Sequence, residues 1–350
     1  ENFGINIMNI IIFEDHNVDN LKPFSINHAS CEVKCGVYSN LERIINTFND
    51  EANFYLIVRD ELKELIQERF PRYTVNPANI PEGLYLNGAV VWNDKLINKV
   101  MMGLSFSSSG TLVAFKNNDN VNFDDIKNII DQKSNVTTEI DTYYISYLWE
   151  CIDLLKIMID FDKMNFSDSK YCSIDDGIGV IDKNNIFVDK STIIELGSIL
   201  DASNGPIILG ENVTVQSGAI LKGPIFIDQH SIISNGAKLK GNILIGPNCK
   251  IGGEIINTIF HGYANKVHDG FLGDSYIGLN ILKKKININN KYNNYFIRKY
   301  FLPDLPIILC KYLIKIANSS IDISDGLFAD LNKLINNQKI GYIVYLDKIP

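Results

Sequence analysis

No apolar run in this chain approaches the roughly 20 residues a helix needs to cross a bilayer. A helical membrane protein is therefore not expected. The apolar start at Ile10 to Phe13 is also too short for a signal-peptide core. Cysteine is sparse: the six (Cys31, Cys35, Cys151, Cys172, Cys249, Cys310) are widely scattered. Cys31 and Cys35 have no second ligand pair to complete a zinc site. With no export signal ahead of them, a reduced cytoplasmic setting is expected. Positive charge is short as well, with Lys and Arg numbering 33 against 41 Asp and Glu, a formal charge of -8. That balance argues against a nucleic-acid partner, since affinity for phosphate backbones comes from clustered Lys and Arg. What the chain does have is apolar mass, 46% of 350 residues, enough to bury the cores of two or three domains. Its opening at Glu1, with a native start expected at Met8, and its abrupt stop at Pro350 read as cut ends.

From residue 8 to 161 short apolar runs (Ile10 to Phe13, Asn53 to Val58, Tyr85 to Trp92, Thr111 to Phe115) alternate with helix-like stretches (Ser39 to Phe48, Asp60 to Arg69, Tyr143 to Ile159). Strands separated by helices predict βαβ units and a mostly parallel sheet, hence an α/β domain. Residues 162 to 185 open with Ser, Asp and Gly in no sustained period, which suits a linker.

From residue 186 to 280 the period changes. In steps of six, Ile207, Val213, Ala219 and Ile225 share one phase; after a two-residue shift Ile227, Ile233, Leu239, Ile245 and Ile251 share another. Aliphatic residues at every sixth position, followed by Gly in Ile245-Gly246, Ile251-Gly252 and Ile277-Gly278, describe short strands joined by tight corners, where Gly accepts unusual backbone angles. Three such hexads close a triangular coil, so the segment predicts about four coils, each supported by its neighbours. Hexapeptide coils of this kind wind left-handed, against the usual crossover preference. An antiparallel sandwich would need a strict period of two, which is not sustained.

Two constellations could carry chemistry. The first is the run Gly262 to Asp274, which interrupts the hexads and is expected to project from the coil, as functional loops do. Within it His268 could serve as a general base, because imidazole titrates near neutrality; the plain alternative is a hydrogen bond to a corner carbonyl. The second is Ile321 to Asp330, where Asp322 and Asp325 flank Ser324 just before a helix start. Such a pair can hold hydrated magnesium facing phosphate, or simply cap the helix.

Residues 8 to about 280 resemble the sugar nucleotidyltransferases related to the bifunctional N-acetylglucosamine-1-phosphate uridyltransferase and glucosamine-1-phosphate acetyltransferase. The matching residues are Ile11 to His16, Leu21-Lys22-Pro23-Phe24, Glu32, Gly36, Tyr147-Leu148-Trp149-Glu150 and, most specifically, Asn265 to Asp274. The resemblance implies an α/β nucleotidyltransferase-like domain, a left-handed β-helix and a homotrimer. It implies a sugar phosphate or nucleotide as small-molecule substrate, with acetyl-coenzyme A or a nucleoside triphosphate as co-substrate. It also implies His268 as the catalytic base, and Asn265, Lys266, Asp15, Lys22 and Lys34 as substrate contacts. The sequence departs from the family in places. Phe13-Glu14-Asp15-His16-Asn17-Val18 lacks the glycines of a triphosphate loop, and Leu86-Asn87-Gly88 stands where the family places Gly-Asp to hold magnesium. His28-Ala29 replaces Arg-Pro, and Phe271 replaces a tyrosine.

After a junction at residues 281 to 300, residues 301 to 350 resemble the start of the C-terminal lobe of thiamine-monophosphate kinase, through Lys315 to Asn318, Ile321 to Leu327 and Tyr345 to Pro350. This implies Asp322 and Asp325 as magnesium ligands and Ser324 as an ATP contact, in a short α+β fragment. Two unrelated fragments meeting near residues 280 to 300 are most simply a fused or misassembled reading frame.

Overall fold

The structure is a computed structural model that describes residues 8–48, 51–169 and 177–278. The chain separates into two units, residues 1–284 and 285–350, and all described residues belong to the first. In chain order the first domain runs β1 (Met8–Phe13), α1 (Asn40–Phe48), β2 (Ala52–Ile57), α2 (Lys63–Arg69), β3 (Thr74–Val75), β4 (Asn79–Ile80), β5 (Gly83–Asn87), α3 (Asp94–Met101), β6 (Ser105–Ser108), β7 (Thr111–Asn117), β8 (Val121–Asn122), α4 (Ile126–Ser134), β9 (Thr138–Glu139) and α5 (Leu148–Asp162).

The main sheet has the order β3-β2-β1-β5-β7-β6-β9. β1, β2, β3 and β5 are mutually parallel. β1 is a continuous apolar run because both of its faces are covered. Ile10 and Ile12 pack under Leu41 and Ile44 of α1, Ile66 of α2 and Ile97 of α3. Ile11 and Phe13 pack on the other side with Tyr85, Phe115 and Ile126 of α4. Each such side chain stabilises the fold by about 1.5–3 kcal/mol through burial.

The sheet is less parallel than the sequence pattern predicts. β7 is antiparallel to both β5 and β6, because Ser109 and Gly110, at φ of 48° and 79°, close β6 and β7 into a tight hairpin. The expected helix from Tyr143 starts five residues later, at Leu148. Residues before it stay extended, with Tyr144 bridging Val90.

Beyond residue 177 short parallel strands stack in ladders, consistent with a β-helix. Ile207 lies opposite Ile225 and Ile225 opposite Ile243, one partner every 18 residues. A second ladder sets Thr214 beside Ile232 and Ile232 beside Lys250 at the same spacing. The stack begins at Gly179–Ile181, paired with Ile199–Asp201, so it reaches back into the stretch expected to be linker. All nine aliphatic residues that recur at intervals of six are fully buried in one core. The two-residue shift between their phases is a strand effect: Ile225 and Ile227 both point inward from one strand, while Phe226 points outward. On that ladder Ile208, Phe226, Leu244 and Ile259 face Cys151, Ile152, Leu155 and Ile159 of α5, which is why its strands read Ile-Ile-Leu and Ile-Phe-Ile rather than alternating.

Two expectations about the corners are corrected. Gly246 and Gly252 do not have positive φ; they are required because a Cβ would lie 2.2 Å from the His261 carbonyl oxygen and 2.4 Å from that of Val267. Residues 262 to 274 do not leave the stack either. Asn265–Lys266 pairs with Lys250–Ile251, and Phe271–Ile277 pairs with Glu254–Phe260, so this run is the last coil among the described residues.

Candidate functional site

β1 leads leftward in the sheet to β2, and β5 lies on its other side, so the strand order reverses between β1 and β5. Crevices outside the carboxyl ends of parallel strands at such a point are where open α/β sheets bind ligands. Here those ends present Glu14, Asp15 and Asn17 after β1, and Asn87 and Gly88 at the end of β5. Tyr144 enters from the segment ahead of α5.

Asp15 is the centre of the group. Its carboxylate accepts from the Asn17 backbone N–H at 2.8 Å, the Asn87 side-chain amide at 2.7 Å and the Tyr144 hydroxyl at 2.7 Å. Asn17 donates in turn to the Tyr144 oxygen at 3.0 Å. Burial and the neighbouring Asp15 charge push the Tyr144 hydroxyl above its ordinary pKa, which keeps it a donor. The Asn87 amide nitrogen also donates to the Leu112 carbonyl at 3.0 Å, and its oxygen accepts from Ala89 N at 2.9 Å. A cation does not fit between Asp15 and Asn87, because N–H hydrogens already occupy the side of Asp15 that would face it.

Glu14 points the other way. It accepts from Ser30 N at 2.8 Å and Arg59 N at 3.0 Å, and its oxygen lies 3.4 Å from the Arg59 Nε. Burial raises its pKa against the lowering pull of Arg59. Arg59 also donates to the carbonyls of Ser25 and His28, so one ion pair tethers the long β1–α1 loop. Glu32 does the same from inside that loop: it accepts from Ala29 N at 2.8 Å and pairs with Arg69.

The far side of this loop is seated on the coil stack. His261 Nε2–H donates to the Glu32 carbonyl at 2.7 Å, and Tyr276 OH accepts from Lys34 N at 3.1 Å. Phe24 stacks on His28 at 4.3 Å and meets His261 and Tyr276 edge-on at 5.1 and 5.6 Å. Burial lowers the pKa of His28 to about 2 and that of His261 to about 4, so both rings sit neutral in the seam.

The sequence-predicted residues do not converge. Asp15 is in the crevice. Lys22 is exposed and paired with Asp19 at 2.9 Å. Lys34 is buried at the seam, 3.2 Å from Asp228. His268 is exposed in the turn between Asn265–Lys266 and Phe271–Ile277. Lys266 sends its ammonium to three carbonyls, those of Gly252, His268 and Gly270, at 2.7 to 2.9 Å, so it staples that turn shut. Asn265 is exposed at the start of the adjoining strand. Asp322, Ser324 and Asp325 lie outside the described residues. Sequence reasoning missed Tyr144, Asn17 and Arg59, which carry no motif of their own.

A mixed sheet whose parallel strands β2, β1 and β5 end at a polar crevice beside the switch point has the arrangement in which open α/β sheets bind ligands. Comparison bears on the same domain: residues 10–170 match the family model of sugar nucleotidyl transferases, so this part of the chain is nucleotidyltransferase-like. A stretch of the chain is similar to thiamine-monophosphate kinases. It is 45% identical over 82 residues to that of Buchnera aphidicola subsp. Acyrthosiphon pisum, covering 23% of this chain and 25% of the relative. The Aquifex aeolicus kinase is 35% identical over 81 residues, 23% and 26% of the two chains. The Escherichia coli K12 kinase is 34% identical over 82 residues, 23% and 25%. The chain thus spans about a quarter of the length of these curated relatives. No helix among the described residues is long and apolar enough to cross a membrane.

Proposed function

We propose that this chain is a sugar-phosphate nucleotidyltransferase-like and acyltransferase-like protein whose α/β crevice binds a sugar nucleotide through hydrogen bonds to Asp15, Asn17 and Tyr144 rather than through a metal-held triphosphate. The observation that carries this reading is the Asn87 amide resting on Asp15 at 2.7 Å, where an acid would have created a cation site. Tyr144 and Asn17 complete a cluster of donors and acceptors suited to hydroxyl and carbonyl groups. Arg59 is engaged by Glu14 and Lys34 by Asp228, which leaves recognition to the Asp15 carboxylate and the uncharged groups around it. UDP-N-acetylglucosamine should raise the melting temperature of the full chain, and Asp15→Ala should abolish the shift. An equal shift in both proteins would remove Asp15 from the site.

The coil stack is, on this reading, a left-handed parallel β-helix of hexapeptide turns that assembles as a homotrimer in a reduced cytoplasmic setting. The 18-residue partner spacing supports the hexapeptide turn. If acetyl-coenzyme A is used, His268 is the base on the acceptor amine, because its ring is exposed at a turn held rigid by Lys266. Coenzyme A release with glucosamine 1-phosphate, compared between the native chain and His268→Ala, tests this; equal rates exclude His268.

A second reading is favoured by the 45% identity over 82 residues. In it the kinase-like segment contributes Asp322 and Asp325 to magnesium and Ser324 to ATP. Magnesium-dependent ATP binding that disappears in Asp325→Asn would establish it, and unchanged binding would exclude it.

A further inference from the structure

The segment that returns to the crevice carries more aromatic surface than packing requires. Tyr143, Tyr147 and Trp149 are 47, 38 and 60% exposed. Exposed aromatic surface of this size marks contact sites more often than chance exposure does. The rings of Tyr147 and Trp149 lie face to face, with centroids 4.3 Å apart and planes 8° from parallel.

This plate is fixed in place. Glu150 accepts from the backbone N–H of Ser146 at 2.7 Å and of Tyr147 at 3.0 Å, locking the first turn of α5. Val91 N donates to the Tyr143 carbonyl and Ile145 N to that of Ala89, both at 2.9 Å, pinning the strand-like approach along the exit from β5. Between these anchors the Tyr144 hydroxyl sits on Asp15. Tyr147 follows Tyr144 by three positions, a span of at most about 10 Å along the backbone, comparable with the length of one nucleoside.

We propose that Tyr147 and Trp149 form the platform on which the nucleobase of the bound sugar nucleotide stacks, while Asp15, Asn17 and Tyr144 hold its hydroxyl or carbonyl groups. The inference rests on the crevice reading above. Every base offers a flat π-face, so such a platform holds a base without selecting it strongly. A pair already stacked presents its outer ring face at no packing cost.

The two tryptophans make the test direct, because Trp92 is fully buried and Trp149 is exposed. In the full chain, acrylamide quenches Trp149 alone. UDP-N-acetylglucosamine and UMP should each protect it, whereas N-acetylglucosamine 1-phosphate, which lacks a base, should not. Calorimetry should show Trp149→Ala binding UDP-N-acetylglucosamine roughly tenfold more weakly, with Trp149→Phe restoring most of the affinity and circular dichroism unchanged in both. If UDP-N-acetylglucosamine binds the native chain and Trp149→Ala equally and quenching does not change, the platform is excluded while the crevice reading stands. Protection by the bare sugar phosphate also overturns the base assignment. If UDP-N-acetylglucosamine does not bind the native chain at all, both readings fall together.

Discussion

The α/β domain and the coil stack solve the same problem by opposite means. In the middle of the coil stack the layers repeat, and Ile207, Ile225 and Ile243 do the same work 18 residues apart. In the α/β domain stability at the loop side depends on single polar links that occur once. The clearest is Arg43, whose two nitrogens reach both Asp162 oxygens at 2.8 and 2.7 Å, joining α1 to α5. Asp162 also accepts from Val37 N at 2.8 Å, and Arg43 donates to the Cys35 carbonyl. Repetition spreads stability evenly, whereas unique links concentrate it.

The comparison would be broken most visibly at Arg43. Arg43→Met strands the Asp162 carboxylate, and urea unfolding should report a loss of about 3–5 kcal/mol. In the coil stack Ile207→Ala and Ile225→Ala should each cost about 2–5 kcal/mol, and nearly the same amount as each other, since each lies between isoleucines of the two adjoining coils. A large disparity between those two would show that the layers are not equivalent.

The seam between the regions supplies a third contrast, read by pH. His28 and His261 have folded pKa values below that of the free ring, so the unfolded chain binds more protons below about pH 6.5. Their contribution to stability is complete above that pH and is lost as pH falls toward the folded value. For His261, at about 4, the loss by pH 5 is about 2 kcal/mol. Glu14 and Glu32, raised by burial, act in the opposite sense, favouring lower pH and softening the decline near the carboxylate range. Thermal melts from pH 7 to 5 should therefore slope downward, and His261→Gln should flatten the slope. The smallest effect belongs to the exposed coil pair Lys240 and Glu254, 2.7 Å apart. Lys240→Ala should leave the melting temperature where it was, because solvent screens such pairs.

The same contrast explains what could be read from the sequence. Ile233, Leu239 and Ile245 announce their burial because the partner of each in the preceding coil, Val215, Leu221 and Ile227, lies 18 residues back in sequence. The crevice offers no such regularity: Asp15, Asn87 and Tyr144 come from three distant segments. Asp15 and Asn87 could be picked out by likeness to a family, but nothing around Tyr144 distinguishes it from Tyr143 beside it. Lys266 shows the opposite error. A lysine in the most family-like run invites a substrate role, yet local carbonyls saturate its ammonium. The hairpin at Ser109-Gly110 escaped the βαβ pattern because only backbone angles, not apolar spacing, reveal it.

The proposed crevice chemistry depends most on the Asn87 amide that rests on Asp15 at 2.7 Å. Calorimetric titration of UDP-N-acetylglucosamine into the full chain, with EDTA and with magnesium, tests it beside Asn87→Asp. Native binding should be saturable and equal in the two buffers, while Asn87→Asp should bind only with magnesium present. Native binding that vanishes in EDTA would contradict the account.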